Sequence, residues 1–209
     1  MRIVKIVRLG APLILAAALL SSCIGINEQL QVNSDGSGVL TLTYRVANMV
    51  ANLAAPPGTT KPVPLPTSAA DFKNAVTSVQ GLTLEAYSTK ETPQDLIVTA
   101  RIAFTKLSAL SQVLQDKAAP QISLTTTGGQ TSFREVIFPG NPQGIDPNTL
   151  GLITSAFKGY NLTFTLDAPA PIQSVSIGTV TGGGRTATYE TSVVNAIQSK
   201  TPIVWEVTW

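Results

Sequence analysis

The chain has 209 residues, of which 12% are charged, with 14 Lys and Arg, 12 Asp and Glu, and no histidine. The absence of histidine excludes Ser–His–Asp catalysis, Cys–His catalysis and metal sites built on imidazole. The low charge excludes the dense basic surface that nucleic acid binding requires, and the length is typical of one folded domain.

The first 22 residues have the pattern of a secretory signal. Arg2, Lys5 and Arg8 precede an apolar stretch at 9–20, and small residues follow it. The stretch is shorter than the roughly 20 apolar residues that cross a bilayer, so we expect cleavage rather than a permanent span. Removing these three cations from the 14 leaves 11 against 12 acids, a formal net charge of −1. We therefore expect no strong attraction to nucleic acid or to anionic lipid.

The signal ends in Leu20, Ser21, Ser22 and Cys23, and Cys23 is the single cysteine of the chain. This run resembles the lipobox of bacterial lipoproteins. The resemblance implies cleavage by signal peptidase II before Cys23 and attachment of lipid to its thiol, with acyl chains such as palmitate in the membrane. Two acyl chains make a stable anchor where one chain is marginal. The alternative is an ordinary signal peptide with a chance cysteine.

We divide the chain into a signal peptide at 1–22, a lipidated N-terminus with a short tether at 23–29, and a single extracytoplasmic domain at 30–209. Since residue 24 is Ile and not the Asp that retains some lipoproteins in the inner membrane, the anchor is expected in the cell membrane or the outer membrane. Lipid on Cys23 leaves no thiol for a disulfide, so the domain must depend on an ordinary core, which its length permits.

The first elements predicted for the domain are a hairpin and a helix. Leu30 and Val32 lead into a turn at 33–36 whose Asp-Gly tolerates a positive φ, and a strand returns at 39–44. Apolar residues at helical spacing predict a helix at 46–54. The five prolines of 55–66 predict a loop without regular structure.

Helices and strands follow one another in the rest of the chain. Helices are predicted from the Ser68 cap to a stop at Gly81, at 107–114, from Asp146-Pro147 to near Gly159, and at 193–198. Strands are predicted at 82–87, 96–104, 122–126, 132–138, 160–166, 175–180, 186–191 and 203–209. The strand–helix–strand order of 96–126 recurs weakly at 186–209. The fold class predicted is α+β, a largely antiparallel β-sheet with a few short helices packed on one face.

Three motifs suggest chemistry, and each has a simpler interpretation. Ser155 and Lys158 have the S-x-x-K spacing of penicillin-interacting enzymes, but the companion Lys-Thr-Gly is missing, and a helix end with a solvated lysine explains the pair. The oxygen donors of 33–38 resemble a calcium loop without its final Glu. The run 182–187 fits G-x-G-x-x-A, but it is followed by a predicted strand and not by a helix. We therefore expect no enzyme, no cofactor and no metal.

Trp205, Val207 and Trp209 share one face of the last predicted strand. Aromatic residues that face one way are candidates for lining a ligand cavity. The alternative, which is the more frequent outcome for such residues, is that they complete the core.

The part of the chain after Cys23 has three further features: a short tether before a hairpin with Asn33 to Gly38, several Thr-rich strands, and a closing strand, helix and strand that contains Pro202 to Val207. In these features it resembles the LppM family of bacterial lipoproteins. The resemblance implies association with lipids or glycolipids at the cell envelope and carries over no catalytic residue. With no apolar span after the domain, we expect the acyl chains on Cys23 to be the sole membrane anchor.

Two classes of function follow as expectations. The first is a non-enzymatic envelope lipoprotein that binds a lipid, a glycolipid or a partner protein. The second is a structural or adhesin-like surface lipoprotein, which would have a filled core and flat, Thr-rich exposed faces. A Ser/Lys hydrolase is the third and weakest expectation.

Overall fold

The computed structural model describes residues 24–48, 66, 68–114 and 122–209. Within these ranges the chain forms eleven strands and four α-helices. The strands are β1 (Ile24–Val32), β2 (Gly38–Ala47), β3 (Leu82–Glu91), β4 (Asp95–Phe104), β5 (Ile122–Thr127), β6 (Gln130–Phe138), β7 (Asn161–Asp167), β8 (Ser174–Val175), β9 (Thr179–Thr181), β10 (Thr186–Ser192) and β11 (Ile203–Thr208). The helices are α1 (Ala69–Thr77), α2 (Leu107–Leu114), α3 (Pro147–Ala156) and α4 (Val193–Gln198).

The strands form two sheets instead of the one that the sequence predicted. The large sheet has seven strands in the order β3-β4-β2-β1-β7-β10-β9, and the small sheet has four in the order β5-β6-β11-β8. The pairing of β1 with β7 is parallel, and the other pairings are antiparallel. The α+β class and the mainly antiparallel pairing are confirmed in outline, whereas the packing of the helices on one face stays a prediction.

The main core lies against one face of the large sheet. Alternate residues of β1, β2 and β7 point to this face because side chains alternate along a strand. The buried members of the core include Leu30, Leu40, Leu42, Tyr44, Val98, Ile102, Phe133, Phe164, Leu166 and Trp205. A second, smaller cluster joins α3 to α4 through Ile153, Phe157, Val193 and Ile197.

The directions of the strands define two ends of the large sheet. At the first, called the Ile24 end, β1, β4 and β7 begin and β2, β3 and β10 end. Since α3 precedes β7 and α4 follows β10, both helices lie at this end. At the opposite end, called the Asp35 end, the turn 33–37 joins β1 to β2, and β4 runs into α2.

The residues predicted as a tether belong to the sheet. Ile24 to Gln29 form the first two thirds of β1, which pairs with β2 on one side and with β7 on the other. The strand alternation of these residues is not evident in the sequence, because Glu28 occupies a position between Ile26 and Leu30 where an apolar core residue is expected. The limits of the signal peptide and of the domain stay predictions.

Two further predictions placed the end of a helix at the wrong residue. Val46 and Ala47 belong to β2 and not to a helix, because Val46 continues the buried alternation of Leu42 and Tyr44. The remainder of the predicted helix, 49–54, lies outside the described residues, as does the predicted loop except for Pro66. Helix α1 begins at the Ser68 cap as predicted, but its C-cap is Ser78 and not Gly81.

The strand predicted at 175–180 is two strands in different sheets. β8 pairs with β11 in the small sheet and β9 pairs with β10 in the large sheet. Gly178 lies between them with φ at 94°, and a β-carbon there would be 2.2 Å from the carbonyl oxygen of Thr188. The chain changes sheets where only glycine fits.

The weak repeat seen in the sequence corresponds to two similar connections. β4–α2–β5 and β10–α4–β11 each lead from the large sheet to the small sheet through a short helix. The two connections are not related by simple rotation, because β4 and β10 run in opposite directions while β5 and β11 run in the same direction, each antiparallel to β6. The repetition is therefore one of connectivity.

Candidate functional site

The predicted lipidation site lies outside the described residues. Leu20, Ser21, Ser22 and Cys23 precede the first described residue, Ile24, which opens β1. Cys23 is therefore joined by a single peptide bond to a paired strand of the large sheet.

The three residues proposed for a ligand cavity are buried. Trp205 and Val207 lie on the core face of β11, Trp209 follows the end of the strand, and all three belong to the main hydrophobic core. The ring of Trp205 meets Phe133 edge-on at 5.9 Å between centroids and lies 6.4 Å from Phe164. Of the three, Trp209 also lines a cavity, of about 210 Å³, at the Asp35 end.

A second cavity at the Asp35 end has a volume of about 570 Å³ and is called the main cavity. It opens between the β1–β2 turn, the start of α2 and the start of β5. Its wall is formed by Asp35, Gly36, Lys106, Leu107, Ser108, Ser111, Gln112, Ile122, Ser123 and Leu124. The smaller cavity shares Asp35, Gly36 and Leu124 with it, so the two cavities adjoin at the turn.

The turn that borders both cavities is held by its own side chains. The backbone amide of Ser37 donates to Asp35 Oδ1 at 3.0 Å, and the Ser37 hydroxyl donates to the same oxygen at 2.6 Å. These hydrogen bonds lower the pKa of Asp35 below its usual value, so the carboxylate is charged at neutral pH. The Asn33 amide donates to Ser37 Oγ at 3.0 Å. The oxygen atoms close a hairpin turn, as the simpler interpretation of 33–38 predicted.

The main cavity combines one cation, one anion and several hydroxyls. Lys106 is exposed at the start of α2, across from the exposed Asp35. Ser108, Ser111 and Ser123 add hydroxyls, of which that of Ser111 donates to the backbone oxygen of Ile122. Leu107, Ile122 and Leu124 supply apolar wall. Such a lining suits the polar, zwitterionic or hydroxylated part of a ligand better than an acyl chain.

A pair of buried acids lies between the two sheets. Glu28 points to the core from β1, and Glu135 is buried in β6 between its partners Ile122 and Trp205. Burial raises the pKa of Glu28 to about 7. Burial also raises the pKa of Glu135 well above its usual range, and the charge of Glu28 raises it further. At least one of the two carboxyls is therefore protonated at neutral pH.

Three polar atoms near the middle of this core have no hydrogen-bond partner within the described part of the chain. They are Glu135 Oε2, Trp205 Nε1 and the Tyr44 hydroxyl. Tyr44 is buried beside Phe72, and burial raises the pKa of its hydroxyl, so it remains protonated. The buried acids were not predicted from the sequence. In the sequence, each acid occupies a position where the alternation of the strand predicts an apolar residue. Glu28 lies two residues from both Ile26 and Leu30, and Glu135 lies two residues from both Phe133 and Ile137.

The outer face of the large sheet is polar and rich in threonine. The residues opposite to the core positions pair across the strands, as Thr43 does with Thr99 through hydroxyls 3.1 Å apart. Arg101 on this face donates to Glu85 at 2.8 Å. The threonines of the face are Thr41, Thr43, Thr99, Thr163, Thr165, Thr186 and Thr188. The threonine content of this face agrees with the Thr-rich surface expected of a structural or adhesin-like protein.

A compact charged cluster braces the Ile24 end. Arg45 donates to Asp95 Oδ2 from Nε at 3.1 Å and from Nη2 at 2.5 Å, and its guanidinium lies 5.0 Å from the centroid of the Tyr160 ring. The Tyr160 hydroxyl donates to Asp95 Oδ1. The same ring lies against Gly25, where a β-carbon would be 3.3 Å from Cδ1 of Tyr160. The cluster ties β2, β4 and the start of β7 to β1 two residues after Cys23.

The Ser155–Lys158 pair lies at the exposed end of α3. The Ser155 hydroxyl donates to the backbone oxygen of Gly151 in its own helix at 3.0 Å, and Lys158 is exposed beyond the helix end. The glycines of 182–184 form a 3-10 turn that leads into β10, so the predicted loop is confirmed. No helix in the described ranges is both long and apolar enough to cross a membrane, and no group of three acidic or cysteine side chains there has the geometry to hold a metal.

The chain matches no protein-family model and no curated protein sequence. Among solved structures it is similar to the folded domain of LppM from Mycobacterium tuberculosis, solved by NMR. The TM-score is 0.48 at 11% sequence identity, over 89% of this chain and 88% of the other. A likeness of this degree assigns neither a fold family nor a function, and the site must be interpreted from its own geometry.

Proposed function

We propose that the chain is an extracytoplasmic bacterial lipoprotein, anchored by acyl chains on Cys23, whose domain binds the polar part of a lipid or glycolipid without catalysis. The observation that carries the binding half is the 570 Å³ cavity at the Asp35 end, with Lys106 and Asp35 at its mouth and serines in its wall. The run from Leu20 to Cys23 carries the anchoring half.

The position of the cavity suits such a function. β1 has nine residues, and at about 3.3 Å per residue it separates Cys23 from the Asp35 end by roughly 30 Å. A ligand would thus enter from the aqueous side of the anchored protein. The rings of Phe133 and Phe164 pack against Trp205 between the sheets, whereas the polar cavity offers open space for a ligand.

Anchoring is tested by Cys23→Ser in the producing cell. We expect the wild-type protein to partition into detergent with the mass of an acylated chain that begins at Cys23. The variant should stay in the aqueous phase or keep the mass of its precursor. A variant that still partitions into detergent at its mature mass would remove the anchoring half of the proposal.

Ligand binding is tested by native mass spectrometry of the acylated protein released from detergent, with lipid extraction of the same sample. We expect a lipid or glycolipid in addition to the covalent acyl chains, and a lower occupancy in Lys106→Gln. Lys73→Gln, an exposed lysine of α1 outside the cavity, is the charge-matched control. Lipid binding would be contradicted if the wild-type protein carried no lipid and bound a partner protein instead.

The absence of catalysis is part of the proposal and has its own test. Ser155 and Lys158 are the residues whose spacing suits a hydrolase. The test uses a probe that acylates reactive serine side chains. If the probe labels the wild type and fails to label Ser155→Ala, this part of the proposal is overturned. We expect no labelling of either protein.

The threonine face favours a second candidate, a structural or adhesin-like surface lipoprotein. In that case the outer face of the large sheet would bind an extended envelope polymer. Co-sedimentation with insoluble cell wall glycan tests it: Thr43→Arg with Thr165→Arg should abolish binding, while Thr127→Arg, on the small sheet, should leave it unchanged. Absence of co-sedimentation of the wild type would exclude this candidate.

A further inference from the structure

Helix α3 has an unusual surface for an exposed helix. Its ten residues, Pro147 to Ala156, contain no charged side chain. Leu152 in its middle is 74% exposed, while Val180, the other large hydrophobic residue that is exposed in the described part of the chain, is 39% exposed. A surface helix ordinarily presents charged residues to water. The surface of α3 is therefore suited to an environment that is less polar than bulk water.

The helix is fixed to the Ile24 end of the large sheet. Ile153 of α3 and Phe157, the C-cap of α3, are buried against Val193 and Ile197 of α4. Phe157 contacts the ring of Tyr160 edge-on at 6.3 Å between centroids. The Asp146 side chain accepts hydrogen bonds from the first turn of α3 at 3.0 Å, so the helix has a defined start as well. These contacts hold α3 in a fixed position relative to the Ile24 end of the large sheet.

The Ile24 end is in turn tied to the strand that follows Cys23. Tyr160 lies on Gly25 and donates to Asp95, which also receives the guanidinium of Arg45. The backbone of β1 pairs with β2 from Ile24 onward. Because the sheet begins at residue 24, no free linker separates Cys23 from it. Consecutive α-carbons are about 3.8 Å apart, so a lipidated Cys23 would bring this end of the domain to the bilayer surface.

We infer that the Ile24 end of the domain is a membrane-contacting surface, with α3 at the level of the lipid headgroups and Leu152 directed to the acyl chains. The inference rests on the proposed lipidation of Cys23, and the occupant of the surface is the bilayer that holds those acyl chains. One leucine contributes too little to bind a membrane alone. It acts as a second contact, which fixes the orientation of a domain that the acyl chains already hold.

This orientation has a consequence for the cavity. With the Ile24 end on the bilayer, the Asp35 end points away from it, and the mouth of the cavity faces the aqueous space. The uncharged surface of α3 supports this arrangement, because no charge of the helix would lose its hydration at the interface.

The test uses the acylated full-length protein on phosphatidylcholine–phosphatidylglycerol vesicles. Acylation of Cys23 leaves no free thiol, so a single cysteine introduced by Leu152→Cys can carry a nitroxide label. Thr127→Cys is the matched control, since it is exposed beside the β5–β6 turn near the Asp35 end. The accessibility of each label to oxygen and to a water-soluble nickel chelate reports its depth in the membrane.

We expect the label at 152 to be several-fold more accessible to oxygen than to the nickel chelate, and the label at 127 to show the opposite preference. Equal nickel accessibility of both labels on vesicle-bound, acylated protein would overturn the inference and leave the anchoring intact. Intact mass shows acylation separately. Protein of unacylated mass that stays off the vesicles would overturn the proposed anchoring and this inference together.

Discussion

Glu28 in β1 lies close enough to Glu135 in β6 for its charge to raise the pKa of that carboxyl, although the two residues belong to different sheets. The other titratable groups that the neighbouring strands of the large sheet direct to this core are tyrosines, Tyr44 from β2, Tyr87 from β3 and Tyr189 from β10. On the described strands no lysine or arginine occupies a core-facing position beside the pair. Because no cation compensates their charge, the two carboxyls can remain buried only if protons neutralise them.

The buried pair predicts that the protein loses stability as the pH rises. Unfolded, Glu28 has its ordinary pKa near 4.5, and folded its pKa is about 7, so the folded state holds a proton that the unfolded state has released. The contribution of Glu28 to the free energy of unfolding is therefore largest below about pH 4.5 and falls as the pH rises to 7. One pKa unit corresponds to about 1.4 kcal/mol, which gives a loss of about 3 kcal/mol for Glu28. Urea denaturation across this range measures it.

Glu28→Gln should reduce this pH dependence, because only Glu135 of the pair can then hold a proton, and should increase the stability at pH 7, since an amide stays neutral. Glu91→Gln is the control, because Glu91 is exposed at the end of β3. A Glu28→Gln variant whose stability falls with pH as steeply as that of the wild type would show that the pair does not hold the proton.

A second prediction concerns the ion pair of the Ile24 end. Arg45 is 46% exposed, but its partner Asp95 is only 3% exposed, so Arg45→Ala leaves a buried carboxylate without its cation. We expect a loss of about 2 kcal/mol in the free energy of unfolding, because Tyr160 still donates to Asp95. Arg101→Ala is the matched control, since Arg101 and Glu85 are 47% and 40% exposed, and it should cost about 1 kcal/mol or less. Equal losses would contradict the prediction.

A third prediction contrasts two glycines. A β-carbon on Gly38 would lie 2.0 Å from the Gln31 carbonyl oxygen and 2.5 Å from Phe104 Cζ, so Gly38→Ala must separate β1 from β2. We expect a loss of about 3 kcal/mol. Gly151 in α3 has nothing within 4 Å of such a carbon, and Gly151→Ala should stabilise the protein by up to about 1 kcal/mol. Thermal unfolding of both variants, followed by circular dichroism, checks the opposite signs.

The fourth prediction concerns Trp205, which is fully buried between Phe133 and Phe164. Trp205→Ala should lower the free energy of unfolding by about 3 to 5 kcal/mol. Trp205→Phe should cost clearly less, because Nε1 has no hydrogen-bond partner to lose within the described residues. Denaturation followed by far-ultraviolet circular dichroism measures both changes. If Trp205→Phe lowered the free energy of unfolding as much as Trp205→Ala does, the indole nitrogen would have an essential hydrogen-bond partner.

Much of the local structure was predictable because its signals are local. The alternation of Tyr160 to Leu166 predicted β7, and the order Asp146-Pro147 predicted the cap of α3, where Asp146 accepts from Asn148 and Thr149. The division into two sheets was not predictable, because alternation gives the buried face of a strand but not its partner. Gly178 shows the same limit: its close approach to Thr188 depends on a strand ten residues later.

The candidate site was less predictable than the fold. The cavity joins Asp35, Lys106 and Ile122, which no local pattern connects, so it exists only once β2, α2 and β5 are in place. The aromatic residues of the last strand were assigned correctly to one face, but that face is the core, and the cavity reaches only Trp209. The buried acids were visible in the sequence as breaks in two apolar alternations, and the break at Glu28 concealed the true start of β1.

The parallel pairing of β1 with β7 also sets the order in which the protein can be made. Ile26 pairs with Leu162, so β1 cannot complete its pairing until the chain has been synthesised at least as far as β7. Until then β1 lacks one of its two partner strands, which would leave time for the proposed modification of Cys23. If Cys23 is lipidated as proposed, the large sheet would be completed beside a residue already attached to lipid, and the domain would fold at the membrane surface and not in free solution.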